Sequence, residues 1–299
     1  MKMLQDKLIS LYFHLCQLYD KDLKWDCQRF TKNQAAPKFS DCELLTCYLF
    51  AVHEEGKRRI SEVHKYILKY WHSWFPALPK YKAFNNRLNQ LSGLFPKIVA
   101  HLLQACPIEG IDEQTSLTDS MPIITCSGKR RGKVALELCD KGYCAVKGFH
   151  YWGVKLHNIG FRRPQTMPWP EFLMLSPASM HDLAAQRQLL EQLANRAIFA
   201  DKAFSDKGLK RELMRHNNCE LLTPVKLVPG QGQLIRHWNK AADDLFSAAV
   251  SKIRQPVESF FNWLIEKVDI QNASKVRSRQ GLIVHTFGKI AAALLNWFF

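Results

Sequence analysis

Up to about residue 110, apolar residues recur at helical spacing, which predicts a helical N-terminal region. Leucines stand three or four positions apart between Leu4 and Leu18, as on one face of an amphipathic helix. Ser40 and Glu43 have the spacing of a capping box and predict the start of a second helix. Further helices are predicted at 60–74 and around 84–91. This pattern is compatible with DNA binding of helix-turn-helix type and equally with a dimerisation bundle, so both alternatives stay open.

Beyond Pro107 and Gly110 the pattern changes to short strands and helices, which predicts a mixed α/β domain. Strands are predicted at 115–119, 148–159, 172–175, 197–200 and 220–225. Helices are predicted at 182–193, at 207–215 and after the last strand, with a break near Pro256. Three strands precede the alternation of helix and strand, which favours a mixed sheet over a doubly wound dinucleotide fold. The predicted domains are residues 1–110 and 111–299.

The basic charge of the chain indicates a polyanionic partner. The 299 residues have a formal net charge of +15 and a pI near 9.4. Basic clusters occur at 57–59, 129–133, 207–215 and 275–279. Their spread suggests a long track for the polyanion, although some of these residues belong to ordinary solvated helix faces.

Other features limit the classes of protein to consider. There is no N-terminal signal pattern and the nine cysteines are dispersed, so we expect a cytoplasmic protein with reduced thiols. No glycine-rich phosphate loop occurs, which argues against an NTPase or a dehydrogenase. Cys126, Cys139, Cys144 and His150 lack the spacing of a common zinc site. Polar residues interrupt the apolar stretch 281–299, so a buried or interface helix is expected there, not a membrane span.

Three acidic residues stand in unusual positions. Asp119 ends the predicted strand 115–119, Asp201 follows the apolar strand 197–200, and Glu258 follows Pro256 in the first turn of a helix. Taken singly, two of them have ordinary explanations: Asp201 can open a turn or cap a helix, and Glu258 can be favoured by the helix dipole or pair with Arg254. The strands that end at Asp119 and Asp201 are predicted to be adjacent and central. Both aspartates then meet at one sheet edge, where the late helix can deliver Glu258.

Three carboxylates around one pocket suit Mg²⁺ or Mn²⁺, because these ions prefer oxygen ligands. Two such ions about 3.5–4 Å apart can activate a nucleophile and stabilise the leaving oxygen in an in-line phosphoryl displacement. Together with the basic charge, this donor set predicts phosphodiester chemistry on a nucleic acid.

These residues resemble the signature regions of bacterial insertion-sequence transposases of the DDE type. The matching segments are Leu-Thr-Asp119-Ser, Ala-Asp201-Lys-Ala-Phe and Arg254-x-x-x-Glu258, together with the stretches 151–157 and 178–182. The resemblance covers most of the chain from about Lys38 onward. It implies an RNase H-like catalytic core preceded by a helical region.

The resemblance also implies roles for individual residues. Asp119, Asp201 and Glu258 correspond to the catalytic, metal-binding triad, served by two Mg²⁺ or Mn²⁺ ions. Arg254 is expected near a phosphate or near Glu258 itself. Many relatives have a tyrosine where this chain has Ser251 and a lysine where it has Ile265, so those two DNA contacts do not carry over. The remaining predicted DNA contacts are Lys155 and Lys202 beside the site and the basic loop residues Lys129, Arg130 and Arg131. His181 and Asp182 are expected to cap a helix.

The sequence therefore predicts a DNA transposase that cuts the ends of an insertion sequence and joins the released 3′-hydroxyls to target DNA. Its partners are double-stranded DNA and at least one further copy of the chain, since two ends are cut and joined together; no membrane is involved. Two alternatives stay open. One is a DNA-binding protein derived from a transposase but without activity, and the other is a metal-dependent nuclease without strand transfer.

Overall fold

The computed structural model describes residues 2–27, 35–106, 108–144, 147–226, 230 and 232–298. Internal contacts group the chain into two compact units. One comprises Met1–Cys106 together with Leu264–Phe299, and we call it the helical unit. The other comprises Pro107–Trp263 and is called the sheet unit.

The helical unit is built around one buried helix. Its helices are α1 (Lys2–Leu18), α2 (Asp41–Glu55), α3 (Ile60–Tyr70), α4 (Tyr81–Gln90), α5 (Leu94–Ala105), α10 (Arg279–Ile283) and α11 (Lys289–Leu294). Every residue of α2 from Leu44 to Val52 is buried, and α2 contacts α1, α3, α4 and α11. Leu8, Leu11, Leu15 and Leu18 form the buried face of α1, as the leucine spacing predicts.

The capping box at the start of α2 is confirmed. The Ser40 hydroxyl accepts a hydrogen bond from the Glu43 backbone N–H at 3.1 Å, and the Glu43 carboxylate accepts one from the Ser40 N–H at 2.6 Å. Two backbone donors that the helix itself cannot satisfy are therefore paired.

The C-terminal segment packs with the N-terminal helices. All residues of α11 are buried, the Tyr48 hydroxyl donates to the Val284 carbonyl at 3.2 Å, and a His53 ring nitrogen lies 3.0 Å from the Ala292 carbonyl. Contacts thus group residues 264–299 with the N-terminal helices, whereas the predicted domain boundary places them with the sheet. The burial of α11 agrees with the expected buried helix in this stretch. None of the helices in the described residues is long and apolar enough to cross a membrane.

The sheet unit contains a mixed sheet, as the sequence predicts. Among the described residues its strands are β1 (Asp112–Ser127), β2 (Asp140–Cys144), β3 (Phe149–Arg162), β4 (Trp169–Pro177), β5 (Ala197–Phe199) and β6 (Glu220–Leu222). The order is β2-β3-β1-β5-β6, and β4 pairs with β3 beside β2. β1 runs antiparallel to β3 and parallel to β5, which runs parallel to β6. The predicted adjacency of the two aspartate-bearing strands is confirmed.

Four helices in the described residues flank or follow these strands. They are α6 (Asp182–Leu190), α7 (Lys207–Asn217), α8 (Gln233–Arg254) and α9 (Pro256–Val268), the last of which continues into the helical unit. The cluster of buried residues that packs α6 and α7 against β5 and β6 includes Leu190, Ile198, Phe204, Leu209, Leu213 and Leu221.

One prediction about the site strand is wrong. The sequence places Asp119 at the end of its strand, but β1 continues to Ser127. The reason is that Met121, Ile123 and Thr125 stay buried in alternation and the ladder with β3 runs on beside them. The parallel ladder with β5 covers only Thr115–Leu117 of β1. Asp119 therefore lies just beyond the end of the β1–β5 pairing, although within the strand.

Candidate active site

Asp119 and Asp201 are placed at the same level by the pairing of their strands. The last register pair between β1 and β5 is Leu117 with Phe199. Asp119 lies two residues beyond Leu117 within β1, and Asp201 lies two residues beyond Phe199, just after the end of β5. A carboxylate beyond a buried strand end in an α/β sheet is a common location for an active site.

Arg254 joins Asp119 to Glu258. The last turn of α8 carries Arg254, and its guanidinium donates one hydrogen bond to the Asp119 carboxylate and another to Glu258 at 3.1 Å. Glu258 lies in the first turn of α9, one helical turn after Arg254. The side chains of Arg254 and Asp119 are largely buried, whereas that of Glu258 is 55% exposed. Arg254 thus lies against Glu258, one of the two placements expected for it.

The electrostatic environment of Asp119 disfavours its negative charge. Burial raises the pKa of the Asp119 carboxyl group to about 6, against opposing effects from Arg254 and from the Ser120 N–H, which donates to it at 2.8 Å. The negative charges of Asp201 and Asp182 raise this pKa further. These two acids are therefore close enough to repel the Asp119 carboxylate, and a cation at this point would relieve the repulsion.

Asp201 has an exposed side chain and opens a turn. Its carbonyl accepts a hydrogen bond from the Phe204 N–H at 2.9 Å, which closes a short 3₁₀ turn at Lys202–Phe204. The Asp201 side chain makes no capping hydrogen bond to this turn, and the cap of α7 is Asp206, which accepts from the Leu209 N–H at 2.7 Å. The backbone of Asp201 therefore has the ordinary turn role, while its carboxylate faces solvent.

Lys155 is held by the start of α6. Its ammonium group donates to Asp182 at 2.9 Å and to the Met180 carbonyl at 2.8 Å. His181 is the N-cap residue of α6 but makes no side-chain capping bond, and Asp182 in the first turn pairs with Lys155. His181 therefore occupies the expected N-cap position, but its side chain does not cap the helix. The Asp182 carboxylate does not cap it either and instead pairs with Lys155.

The other residues predicted to contact DNA do not take part in the ion pairs of Arg254 or Lys155 described above. Lys202 is exposed in the turn directly after Asp201. Lys129, Arg130 and Arg131 are exposed in the loop that follows β1, and the Gly128 N–H that begins this loop donates to the His150 carbonyl at 2.9 Å. Their charges are available at the surface for a polyanion.

A buried polar network crosses the sheet beside the site, and sequence patterns alone do not identify it. Thr118 donates to the Gln186 side chain, the Gln186 Nε2 lies 3.0 Å from Nδ1 of His157, and the His157 Nε2 lies 2.7 Å from the Ser176 hydroxyl. Burial lowers the pKa of His157 to about 4, so the ring is neutral. His157 stands within the segment 151–157 that resembles the family, which is the one signal that could have pointed to it.

Asn158 stands opposite Asp119 in the β1–β3 register. Directly opposite residues of an antiparallel pair share a face of the sheet. Asn158 is fully buried, and within the part of the chain that the structure describes its side-chain amide has no hydrogen-bond partner. A buried amide left without partners is uncommon, so a bound water or ligand beside Asp119 would satisfy it.

The residues at this site fit a divalent cation by their chemistry. Asp119, Asp201 and Glu258 offer hard oxygen donors, and Asn158 offers an unsatisfied amide oxygen beside Asp119. The carboxylates are not arranged as a closed ligand set: no group of three His, Cys, Asp or Glu residues in the described ranges is positioned to hold a metal ion. Arg254 instead provides the positive charge between Asp119 and Glu258.

A comparison with protein families identifies the class of protein to which this mixed α/β fold belongs. The model of the family described as "Transposase DDE domain" matches residues 114–296, about three fifths of the chain. The chain therefore belongs to the transposase DDE domain family, which implies an RNase H-like fold for its sheet and a transposase-type function. Members of this family generally use divalent metal ions and act on DNA. Comparisons with curated proteins and with solved structures give no significant match.

Proposed function

We infer that this protein is a DNA transposase that cuts at the ends of an insertion sequence and joins them to target DNA. The observation that carries this proposal is the contact of Arg254 with both Asp119 and Glu258, at the sheet edge where Asp201 raises the pKa of Asp119. Asp119 and Glu258, far apart in the chain, share one guanidinium, and the charge of Asp201 acts on Asp119; this supports the proposal that the three acids belong to one site. The family to which the chain belongs makes DNA the natural substrate.

Asp119, Asp201 and Glu258 are the residues that would hold two Mg²⁺ or Mn²⁺ ions, with Asn158 beside them. The ions supply activation of the attacking oxygen and stabilisation of the leaving oxygen in an in-line phosphoryl displacement. In the first step, water attacks a phosphorus atom at the element end, and the P–O bond to the departing 3′-oxygen breaks to leave a 3′-hydroxyl. In the second step, that hydroxyl attacks a target phosphodiester and a target 3′-oxygen departs.

We propose that the Arg254 side chain has different partners before and after DNA binds. Without DNA its guanidinium neutralises Asp119 and Glu258. A guanidinium also binds phosphate well, because its parallel N–H groups match two oxygens. We propose that Arg254 turns to the scissile phosphate when DNA and metal ions enter, which frees the two carboxylates as ligands.

The other proposed DNA contacts lie around this edge. Lys202 follows Asp201 directly, Lys155 is fixed by Asp182, and Lys129, Arg130 and Arg131 project from the loop after β1. These cations would pair with backbone phosphates, so binding would weaken steeply with salt. At least a dimer is proposed, because two element ends react together, and a cytoplasmic location is proposed with it.

The test is an assay on a supercoiled plasmid that carries the ends of the element, with Mg²⁺ or Mn²⁺. Wild type is compared with Asp201→Asn, which preserves shape and removes charge, and with Glu137→Gln, an exposed carboxylate in the segment between β1 and β2. End-specific nicks and joined products are expected from wild type and Glu137→Gln and not from Asp201→Asn. Equal cutting by all three proteins would overturn the assignment of Asp201.

The two alternatives have their own outcomes in this assay. An inactive DNA-binding protein would bind the ends without cutting in any variant, and the Arg254 ion pairs that neutralise Asp119 and Glu258 are the feature that favours it. A nuclease without strand transfer would cut the ends and give no joined product.

A further inference from the structure

A large cavity in the helical unit joins two basic clusters that are far apart in the sequence. Its volume is about 650 Å³, and its walls come from the segments 57–62 and 269–289 together with residues of α2 and α4. The cationic residues that line it are Lys57, Arg58, Arg59, Lys275, Arg277 and Lys289. The cavity lies within one compact unit and contains none of the three site acids.

The cavity has a clear excess of positive charge. Among its described lining residues, the carboxylates are those of Glu62 and Asp269. Arg59 lies 3.7 Å from Glu62, and Arg58 lies 3.7 Å from Asp269, so these two acids are already paired. Lys275 and Arg277 are exposed on the opposite segment and add charge that these acids do not neutralise.

Lys289 is the most unusual of the lining cations. Its side chain is 2% exposed, and its ammonium group donates to the Asp269 carbonyl at 3.0 Å. An ammonium group has three N–H donors, and within the described residues the structure gives it this one acceptor. Burial lowers the pKa of Lys289 to about 8, although the negative charge of Asp269 opposes this effect; Arg58 lowers the pKa further and Glu62 opposes it. A buried cation with unused donors beside a polar cavity is expected to bind an anion.

The cavity is also large enough and suitably lined for a phosphodiester group with its sugar. Ligand cavities in proteins commonly measure about 300–1,000 Å³. Tyr81, Asn85 and Ser278 add neutral hydrogen-bonding groups to the wall. The exposed arginines and lysines surround it at the surface, where a long polyanion can lie across them while one phosphate reaches inward.

We propose that this cavity binds the phosphodiester backbone of duplex DNA, as a DNA-binding site separate from the catalytic carboxylates. The proposal rests on the proposed function in its choice of DNA as the polyanion. Lys275 and Arg59 make the outer phosphate contacts from the two segments, and Lys289 provides the buried one. Because these contacts are to the backbone, they contribute affinity and not sequence preference.

The test measures binding of the full-length protein to a fluorescein-labelled DNA duplex by fluorescence anisotropy, without divalent metal so that no cleavage occurs. The double variant Arg59→Gln/Lys275→Gln is compared with Lys21→Gln/Lys82→Gln, two exposed lysines of the same unit that do not line the cavity. Each double variant carries two fewer positive charges than wild type. Thermal unfolding of both confirms that the fold is retained.

The cavity variant is expected to bind about tenfold more weakly, which corresponds to about 1.4 kcal/mol. The slope of log K against log salt should fall by roughly 0.9 for each phosphate that is no longer neutralised, while the control keeps the wild-type slope. Equally weakened binding by both double variants would show a general charge effect and overturn the cavity proposal. Plasmid cleavage that persists while the cavity variant binds normally would overturn it and leave the proposed function intact. No binding of DNA by the wild-type protein would overturn both.

Discussion

At the scale of single residues, Arg254 determines how the candidate site is held together. Its guanidinium contacts Asp119 and Glu258, and Asp201 adds a third negative charge nearby. Acids that repel one another keep their charges only if a cation lies between them. Arg254 provides that cation in the protein alone, and the proposed function replaces it with metal ions when DNA is bound.

Arg254→Gln should destabilise the protein and make it more dependent on metal ions. Removing the cation leaves the largely buried Asp119 carboxylate and the exposed Glu258 carboxylate unpaired, and we expect a loss of about 1–3 kcal/mol in the free energy of unfolding with EDTA present, most of it from Asp119. Added Mn²⁺ should restore more stability to this variant than to wild type, because a ligand that binds only the folded state stabilises it.

The control for this prediction is Arg187→Gln. Arg187 also pairs with two acids, Glu191 and Glu212, but on the exposed surface, where solvent screening leaves a much smaller loss of stability than at Arg254. Denaturant unfolding in EDTA and in Mn²⁺ measures, for each protein, the free energy of unfolding without metal and the stabilisation that the metal adds. Equal metal responses in both variants would contradict the role assigned to Arg254.

His157 makes stability depend on pH. Its folded-state pKa is lowered from 6.5 to about 4 by burial, so the folded protein keeps the ring neutral where the unfolded chain would protonate it. Protons then favour the unfolded state, and stability present above pH 6.5 is lost as the pH falls towards 4, by up to about 3 kcal/mol. His285, with its pKa lowered to about 3, acts in the same direction.

His157→Gln should therefore reduce the slope of stability against pH between pH 6.5 and 4, although the variant is less stable at pH 8. His285 is retained in both proteins, so the difference between the two slopes belongs to His157. Chemical denaturation at several pH values measures this, and parallel curves would show that His157 does not titrate as described.

At the scale of elements, close packing of β1 against β3 fixes the position of Asp119. A Cβ atom added at Gly153 in β3 would lie 2.0 Å from the Ile123 carbonyl oxygen of β1. No side chain can be accommodated there without separating the two backbones. Glycine is therefore required at position 153, because the backbone of β1, the strand that bears Asp119, lies too close for any side chain.

Gly153→Ala should destabilise the sheet unit by more than about 2 kcal/mol, because the backbone and not a flexible side chain must move. Gly232→Ala is the control, since its Cβ would meet no atom within 4 Å and its φ of −58° suits alanine. The control should be neutral or slightly stabilising, as expected for a less flexible unfolded chain. Thermal unfolding of both variants tests this, and a Gly153→Ala protein as stable as wild type would contradict the described strand pairing.

Sequence patterns predict an element well when its bounds depend on residues only a few positions apart. The capping box of α2, the strand before Asp201 and the first turn of α9 follow from spacing within a few residues. The same patterns do not predict β2 and α5, and they predict β1 too short. The full length of β1 depends on its ladder with β3, whose partner residues lie about 30 positions later in the chain, and spacing within β1 does not report them.

At the scale of the whole molecule, the two ends of the chain share one hydrophobic core. A Cβ atom at Gly288 would lie 2.8 Å from the Tyr48 ring, so a residue of the C-terminal segment packs directly on α2. The predicted boundary at residue 110 follows a change in pattern along the chain. This change in pattern identifies where the sheet begins. It does not show that residues 264–299 pack with the N-terminal helices, because that packing joins segments far apart in the chain.

This packing can be tested with a double-mutant cycle. Gly288→Ala should destabilise the protein by about 1–3 kcal/mol through overpacking against Tyr48. Tyr48→Leu makes room, so the two changes together should cost less than the sum of their separate effects, with a coupling of about 0.5–3 kcal/mol. Thermal or denaturant unfolding of the four proteins measures the coupling. Strictly additive effects would show that the two residues do not touch.

The central claim is that Asp119, Asp201 and Glu258 form one metal-dependent site, and the most direct measurement is Mn²⁺ binding by electron paramagnetic resonance. Wild type is titrated with element-end DNA bound, because Arg254 occupies Asp119 and Glu258 in the protein alone, beside Asp119→Asn, Asp201→Asn and Glu258→Gln, with Glu137→Gln as the exposed control. We predict that each of the three site variants loses at least about tenfold in Mn²⁺ affinity, while the control binds as wild type does. Wild-type affinity in all three site variants would contradict the claim.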